Sequence, residues 1–119
     1  MKAKNLRELV RFSSKAPIRT TLFETGQLWA ELLCMERNQQ VGPLGDVRSD
    51  AVCTVVAGDV VVQIGRARKR LAQWGAVLVP AGSQLVVTNA TDEPAVVMLV
   101  AAPPPEVTAE DGDQEAAEG

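Results

Sequence analysis

Few side chains in this chain have types and spacings that could do chemistry. There is no histidine among its 119 residues, which removes the commonest general base near neutral pH and the commonest transition-metal ligand. Cys34 and Cys53 stand 19 apart with no CxxC pattern and no Gly-rich knuckle around them, so they read as small core residues rather than a disulfide or a zinc pair. Apolar neighbours should raise the pKa of Cys53 and leave it inert as a nucleophile. Asp46 and Arg48 remain, in the turn-rich stretch RNQQVGPLGDVRSD. A carboxylate there could act as acid or base, and a guanidinium could bind a carboxylate or phosphate. Their plainer roles are a turn residue bonding its own backbone and a solvated loop charge.

Whatever positions these residues is built from strands. Asn5, with Glu8 three residues on, and the apolar Leu6, Leu9 and Val10 predict one brief helix over about residues 5–11. From there the pattern is β: RTTLFET and QLWAELLCME, then the turn-rich stretch, then six Val-rich runs at 51–57, 59–65, 69–74, 76–80, 84–89 and 95–101. Gly58, Gly65, Gly75, Pro80-Ala81-Gly82 and Thr91-Asp92-Glu93-Pro94 separate those runs. Hairpin-length connections imply an antiparallel sandwich or barrel, because parallel pairing needs longer crossovers.

Composition divides the chain into an N-terminal arm over 1–19, one β domain over 20–105 and an acidic tail over 106–119. The tail holds six acids, no base and no large hydrophobe except Val107, so it offers nothing to offset its own ordering entropy. Setting those six aside leaves twelve basic residues against nine acidic ones, about +3. That excess is small and scattered, and no nucleic-acid partner is expected. The one basic cluster, Arg66, Arg68, Lys69 and Arg70, fits a solvated hairpin. No apolar run approaches the roughly 18 residues a spanning helix needs, and the charged N-terminus lacks a signal-peptide core, so no membrane partner and a cytoplasmic location are expected.

Two ordered motifs sharpen the fold. Counting back from Gly58, Ala51, Asp46, Leu44 and Asn38 fall at the spacings of G-x5-H-x-H-x(3,4)-E-x6-G. Asn38 is an apt substitute for the opening glycine, since Asn tolerates a left-handed backbone. Gly75, Pro80, Gly82 and Asn89 follow G-x5-P-x-G-x2-H-x3-N with one residue fewer after Gly75, and Leu85 stands at the histidine position. In these residues, over roughly 20–103, the chain resembles a small single-domain cupin of the conserved-barrel type. The resemblance implies an all-β, double-stranded β-helix (jelly-roll) barrel preceded by a short N-terminal helix.

In metal-binding members of that family the three histidines and the glutamate converge inside the barrel. Here those positions carry Leu44, Asp46, Ala51 and Leu85. Three offer no donor atom, whereas transition-metal sites take three or four protein ligands, so neither a metal nor another cofactor is expected. Asp50 does not help, because adjacent strand residues point to opposite faces.

The expected interior is Leu44, Asp46, Ala51, Cys53, Val55 and Leu85, with Gln84 or Asn89 near the mouth; Asn89 also suits a turn with Ala90-Thr91-Asp92. An apolar interior of this kind suits a small organic ligand bound without catalysis, or a barrel simply filled by side chains. The alternatives are a metal-independent isomerase or lyase using Asp46 and Arg48, and a partner-binding protein acting through a dimer surface or the acidic tail. A homodimer is expected, with Leu22, Phe23 and Trp29 supplying apolar surface near an edge strand.

Overall fold

Alternation of inward and outward side chains along Val-rich strands generates two antiparallel sheets that close over one core. The computed structural model describes residues 1–106. Its strands are Ile18–Glu24 (β1), Trp29–Met35 (β2), Gln40–Leu44 (β3), Asp50–Ala57 (β4), Asp59–Ile64 (β5), Ala67–Ala72 (β6), Ala76–Val79 (β7), Leu85–Thr88 (β8) and Ala95–Ala102 (β9). One sheet has the order β1-β2-β9-β4-β7 and the other β3-β8-β5-β6. Every pairing is antiparallel.

The inner faces meet in a core of Leu33, Val55 and Val97 from the first sheet and Val60, Val62 and Val87 from the second, all almost fully buried. On the outer face of the first sheet, Leu32, Cys34 and Val96 would meet water in a bare sandwich. The N-terminal arm covers them with Leu6, Leu9, Val10 and Phe12. That cover explains why β2 is buried on both faces and reads WAELLCM rather than as an apolar/polar alternation.

The arm's helix is shorter than its sequence suggests. It is a 3₁₀ turn, Leu6–Leu9, capped by Asn5 Oδ1 accepting from Arg7 N at 3.1 Å, and Val10 already has extended dihedrals. Packing Leu6, Leu9 and Val10 onto the sheet takes precedence over continuing a helix too short to sustain itself.

The sequence reading missed β3, which it assigned to turns because Gly42 and Pro43 interrupt it. Both are tolerated because β3 is an edge strand whose register with β8 shifts between Val41 and Leu44. Gly42 takes φ +123°, and a Cβ there would stand 2.5 Å from the Leu85 carbonyl oxygen. The edge strand β6 presents Arg68, Lys69 and Arg70 to solvent, charges that discourage edge-to-edge pairing.

Of the apolar surface expected around Leu22, Phe23 and Trp29 beside the edge strand β1, Leu22 is closed off while Phe23 and Trp29 stay half-exposed. Leu22 is 3% exposed, and Phe23 packs in the outer cluster. The apolar side chains turned furthest outward on this sheet are instead Val52 and Leu78, Cα partners on β4 and β7. No helix among the described residues is long and apolar enough to cross a membrane.

Candidate functional site

The two sequence motifs meet in space at both ends. Asn38, with φ 64°, donates its backbone N–H to the Asn89 carbonyl at 2.7 Å, and Asn89 N donates to Gln39 O at 2.9 Å. At the other end Gly82 N donates to Asp46 O at 2.9 Å, and Leu44 and Leu85 are Cα partners across β3 and β8. The motif spacings therefore describe two pairs of neighbouring strands, β3 with β8 in one sheet and β4 with β7 in the other, and the loops that close them.

At this second end the core gives way to a cavity of about 310 Å³. Leu44, Asp46, Ala51 and Leu85 all line it, as does Gln84. The space exists because small side chains point inward here. Ala51 and Ala101 are Cα partners on β4 and β9, and Gly45 and Ser83, beside β3 and β8 of the other sheet, line the space as well, where the rest of the barrel carries Val and Leu.

Cys53 and Val55 lie elsewhere. Strand alternation places them inward, as expected, but deeper in the packed core, at 0% exposure and away from the cavity lining. Asn89 belongs to the opposite end, fully buried. Its Nδ2 donates to Met35 O at 3.1 Å and Glu93 O at 2.8 Å, and its Oδ1 accepts from Thr91 N at 3.0 Å and Thr91 Oγ1 at 2.9 Å. It closes the expected turn and ties that turn to β2.

Both cysteines are free and buried. Burial pushes the Cys53 thiol up to about 12, and it also raises Cys34, against a backbone hydrogen bond and the positive charge of Arg11, which lower it. We expect neither thiol to react with maleimide at pH 8 in the native protein, and both to react after unfolding. Since unfolded Cys53 ionises near 9 while the folded thiol holds its proton, the unfolded state binds fewer protons in that window. Native stability should therefore fall as pH rises from about 9 toward 12, which alkaline melting curves would show.

The rim differs from expectation. The Asp46 carboxylate does not bond its own backbone: Oδ2 accepts from Glu106 N at 3.3 Å and lies 3.3 Å from Ser49 Oγ. Ser49 Oγ donates to Pro103 O at 2.6 Å. Arg48 does not reach the cavity; it turns outward to Glu106 at 2.6 Å in a pair exposed on both sides, worth at most about 1 kcal/mol. An acid–base pair of Asp46 with Arg48 is thus not assembled at the cavity. Glu106, expected at the head of the acidic tail, contacts the domain through these bonds, and residues 107–119 of that segment lie outside the described residues.

Sequence reasoning missed Arg19 and Glu31. Arg19, on β1, lines the cavity and grips Glu31 on β2 with Nε–Oε1 at 3.1 Å and Nη2–Oε2 at 2.7 Å. The Glu31 side chain is 3% exposed and that of Arg19 36%. The available signal was a charged residue inside the apolar run WAELLC, since a buried carboxylate needs a paired cation.

Solved structures with the same architecture settle the fold. The protein TT1209 of Thermus thermophilus is 28% identical with a TM-score of 0.83, over 88% of this chain and 100% of that one. An RmlC-like cupin protein of Desulfovibrio desulfuricans is 21% identical with a TM-score of 0.78, over 87% of this chain and 98% of that one. The chain has the cupin fold. A further cupin-fold neighbour is a Klebsiella pneumoniae protein with a double-stranded β-helix domain, 21% identical with a TM-score of 0.80, over 87% of this chain and 90% of that one. No protein-family model and no curated protein sequence matches the chain.

In the cupin fold these four inward positions are where the resemblance implies metal ligands, and the residues present do not fit one. Leu44, Ala51 and Leu85 carry no donor atom, and Asp46 offers two oxygens, one of them already accepting from Glu106 N. Among the described residues no group of three or more His, Cys, Asp or Glu could hold an ion.

Proposed function

We propose that this cupin-fold protein binds a small organic molecule in its barrel cavity and does so without a resident metal ion. The observation that carries this reading is the convergence of Leu44, Asp46, Ala51 and Leu85 on one cavity of about 310 Å³. The lining mixes apolar side chains such as Leu44, Leu85 and Leu99 with polar ones such as Arg19, Asp46, Ser83 and Gln84, a combination that can seat an organic molecule and fix its orientation. At ~30 Å³ per water the space corresponds to about ten waters, or a ligand of roughly ten non-hydrogen atoms. Micromolar affinity would require about 0.8 kcal/mol per atom, well within the range small ligands reach.

Support for binding over catalysis comes from the donor inventory. Cys53 is sealed in the core with its pKa pushed up to about 12, and Arg48 is turned away from Asp46's cavity. The test is native mass spectrometry of the freshly purified chain, followed by melting scans against a library of small organic molecules. Bound organic mass or a saturable stabilisation is expected, and Ala51→Leu, which narrows the cavity, should weaken it. Ligands that bind the Ala51→Leu variant as well as the native chain would overturn the assignment to this cavity.

A further inference from the structure

We infer that the outer face of β4 and β7 docks a second copy of this chain, laid on so that Trp74 of each copy covers Val52 and Leu78 of the other. The outward positions on β4 are Asp50, Val52, Thr54 and Val56, since Ala51, Cys53 and Val55 alternate inward. Beside them on β7, Leu78 and Ala76 are the Cα partners of Val52 and Thr54, and Trp74 N donates to Val55 O at 2.8 Å. The N-terminal arm covers this sheet over β2 but leaves Val52 44%, Leu78 60% and Trp74 73% exposed. At roughly 200 Å² for a tryptophan and somewhat less for leucine and valine, these three leave on the order of 300 Å² of apolar surface open, the size at which a patch marks an interaction site. Trp74 also holds φ 75°, uncommon for a bulky residue, and its indole gains no burial within the chain in return. The edge strand β7 reads AVLV, without the charges that Arg68, Lys69 and Arg70 give the edge of the other sheet.

The charges at the two ends of this face point to a second copy and set its orientation. Asp50 stands at one end of the β4 row, and Arg7 lines the groove at the other end together with Val56 and Trp74. Both are exposed, and neither forms an ion pair among the described residues, although Asp50 Oδ1 accepts from Ala81 N at 2.9 Å. A closed dimer of identical faces has its twofold axis in the plane between them. An axis along the strands brings like ends together, Asp50 toward Asp50 and Arg7 toward Arg7. An axis across the strands, at the level of Thr54 and Ala76, reverses the strand direction. Asp50 then lies over the Arg7 end of the other copy, and Trp74 lies over Val52 and Leu78. The small side chains of Thr54 and Ala76 let the two sheets approach at the axis itself. The face is thus complementary to itself in both bulk and charge, which a contact between identical surfaces requires. With the polar rim around them, two such faces approach the lower end of specific interfaces, about 1,200 Å² in total.

The test is sedimentation velocity of the full-length chain at low salt. Between about 1 and about 300 µM the mass should rise from 12.7 kDa toward twice that value. Leu78→Glu, at a position the monomer leaves in solvent, should weaken association at least roughly tenfold while the dilute chain keeps its native circular dichroism. Asp50→Lys and Arg7→Glu should each weaken it by roughly fivefold, because each variant sets like charges together at both ends of its own dimer. An equimolar mixture of the two should recover native association, because contacts between unlike copies are then all of opposite charge. That recovery separates the docking from a merely weakened fold, since Asp50→Lys also gives up its bond to Ala81 N. A chain that stays at 12.7 kDa throughout, a dimer that Leu78→Glu leaves intact, or a mixture that fails to recover would overturn the inference. A full-length monomer that dimerises only once residues 107–119 are removed would overturn it too, by showing that the acidic segment is the occupant of this face.

Discussion

Zinc(II) or manganese(II), saturating at a hundredfold over a micromolar Kd, raises the melting temperature of the quadruple variant Leu44→His/Asp46→His/Ala51→Glu/Leu85→His by about 10 °C. The native chain does not respond. Mass action at that excess stabilises a folded state by about 2.7 kcal/mol, and a chain of this size moves by roughly 4 °C per kcal/mol. The variant should gain the ion because the four positions already converge on one cavity. Leu44 and Leu85 face each other across β3 and β8, so side chains placed there share one space. The apo variant should melt below the native chain, since an imidazole at the fully buried Leu85 position is left without a partner until the ion arrives. Equal responses of variant and native chain, or one metal per chain in the native protein, would show that the motif positions are misaligned.

Asn89→Ala lowers stability by about 3 kcal/mol and the melting temperature by roughly 12 °C, far more than an average surface change. Its amide satisfies Met35 O on β2 and Glu93 O in the following turn, while its carbonyl holds Thr91 N and Thr91 Oγ1. Truncation leaves buried Met35 O without this donor, at about 1–3 kcal/mol when nothing replaces the bond, and removes the acceptor of Thr91 N, at about 1 kcal/mol, while Glu93 O can still accept from Thr91 Oγ1. Asn89→Asp is the sharper probe, because it preserves size and the bonds to Thr91 but turns a carboxylate oxygen toward two carbonyls. It should be as damaging as alanine at neutral pH and partly recover in acid, where a protonated carboxyl can donate. Denaturant titrations at pH 4 and pH 7 would check both variants. A loss under about 1 kcal/mol for Asn89→Ala would mean that water or a shifted backbone takes over its bonds.

The sequence alone determined the strand-rich class and the antiparallel pairing, which follow from local chemistry: period-two alternation and short Gly and Pro turns. Its resemblance to the cupin motifs, carried by the spacing from Asn38 to Gly58 and from Gly75 to Asn89, implied the barrel type and the convergence of Leu44, Asp46, Ala51 and Leu85 inside it. Strand alternation even located the interior faces of Ala51, Cys53 and Val55. Only the tertiary structure decided which of those faces stay empty. Cys53 and Val55 are closed off because Val and Leu from the opposite sheet fill the space before them, whereas Ala51 stays open because its partner across the ladder is Ala101, fifty residues away in the chain. Edge position decided β3, whose Gly42 and Pro43 would be ruled out of a central strand. The Arg19–Glu31 grip joins two strands whose side chains meet only after β1 and β2 pair in register, and Arg48 left the rim because Glu106, brought back by β9, pairs with it outside. Each of these depends on volume or charge contributed from a distant segment, which one-dimensional spacing does not encode.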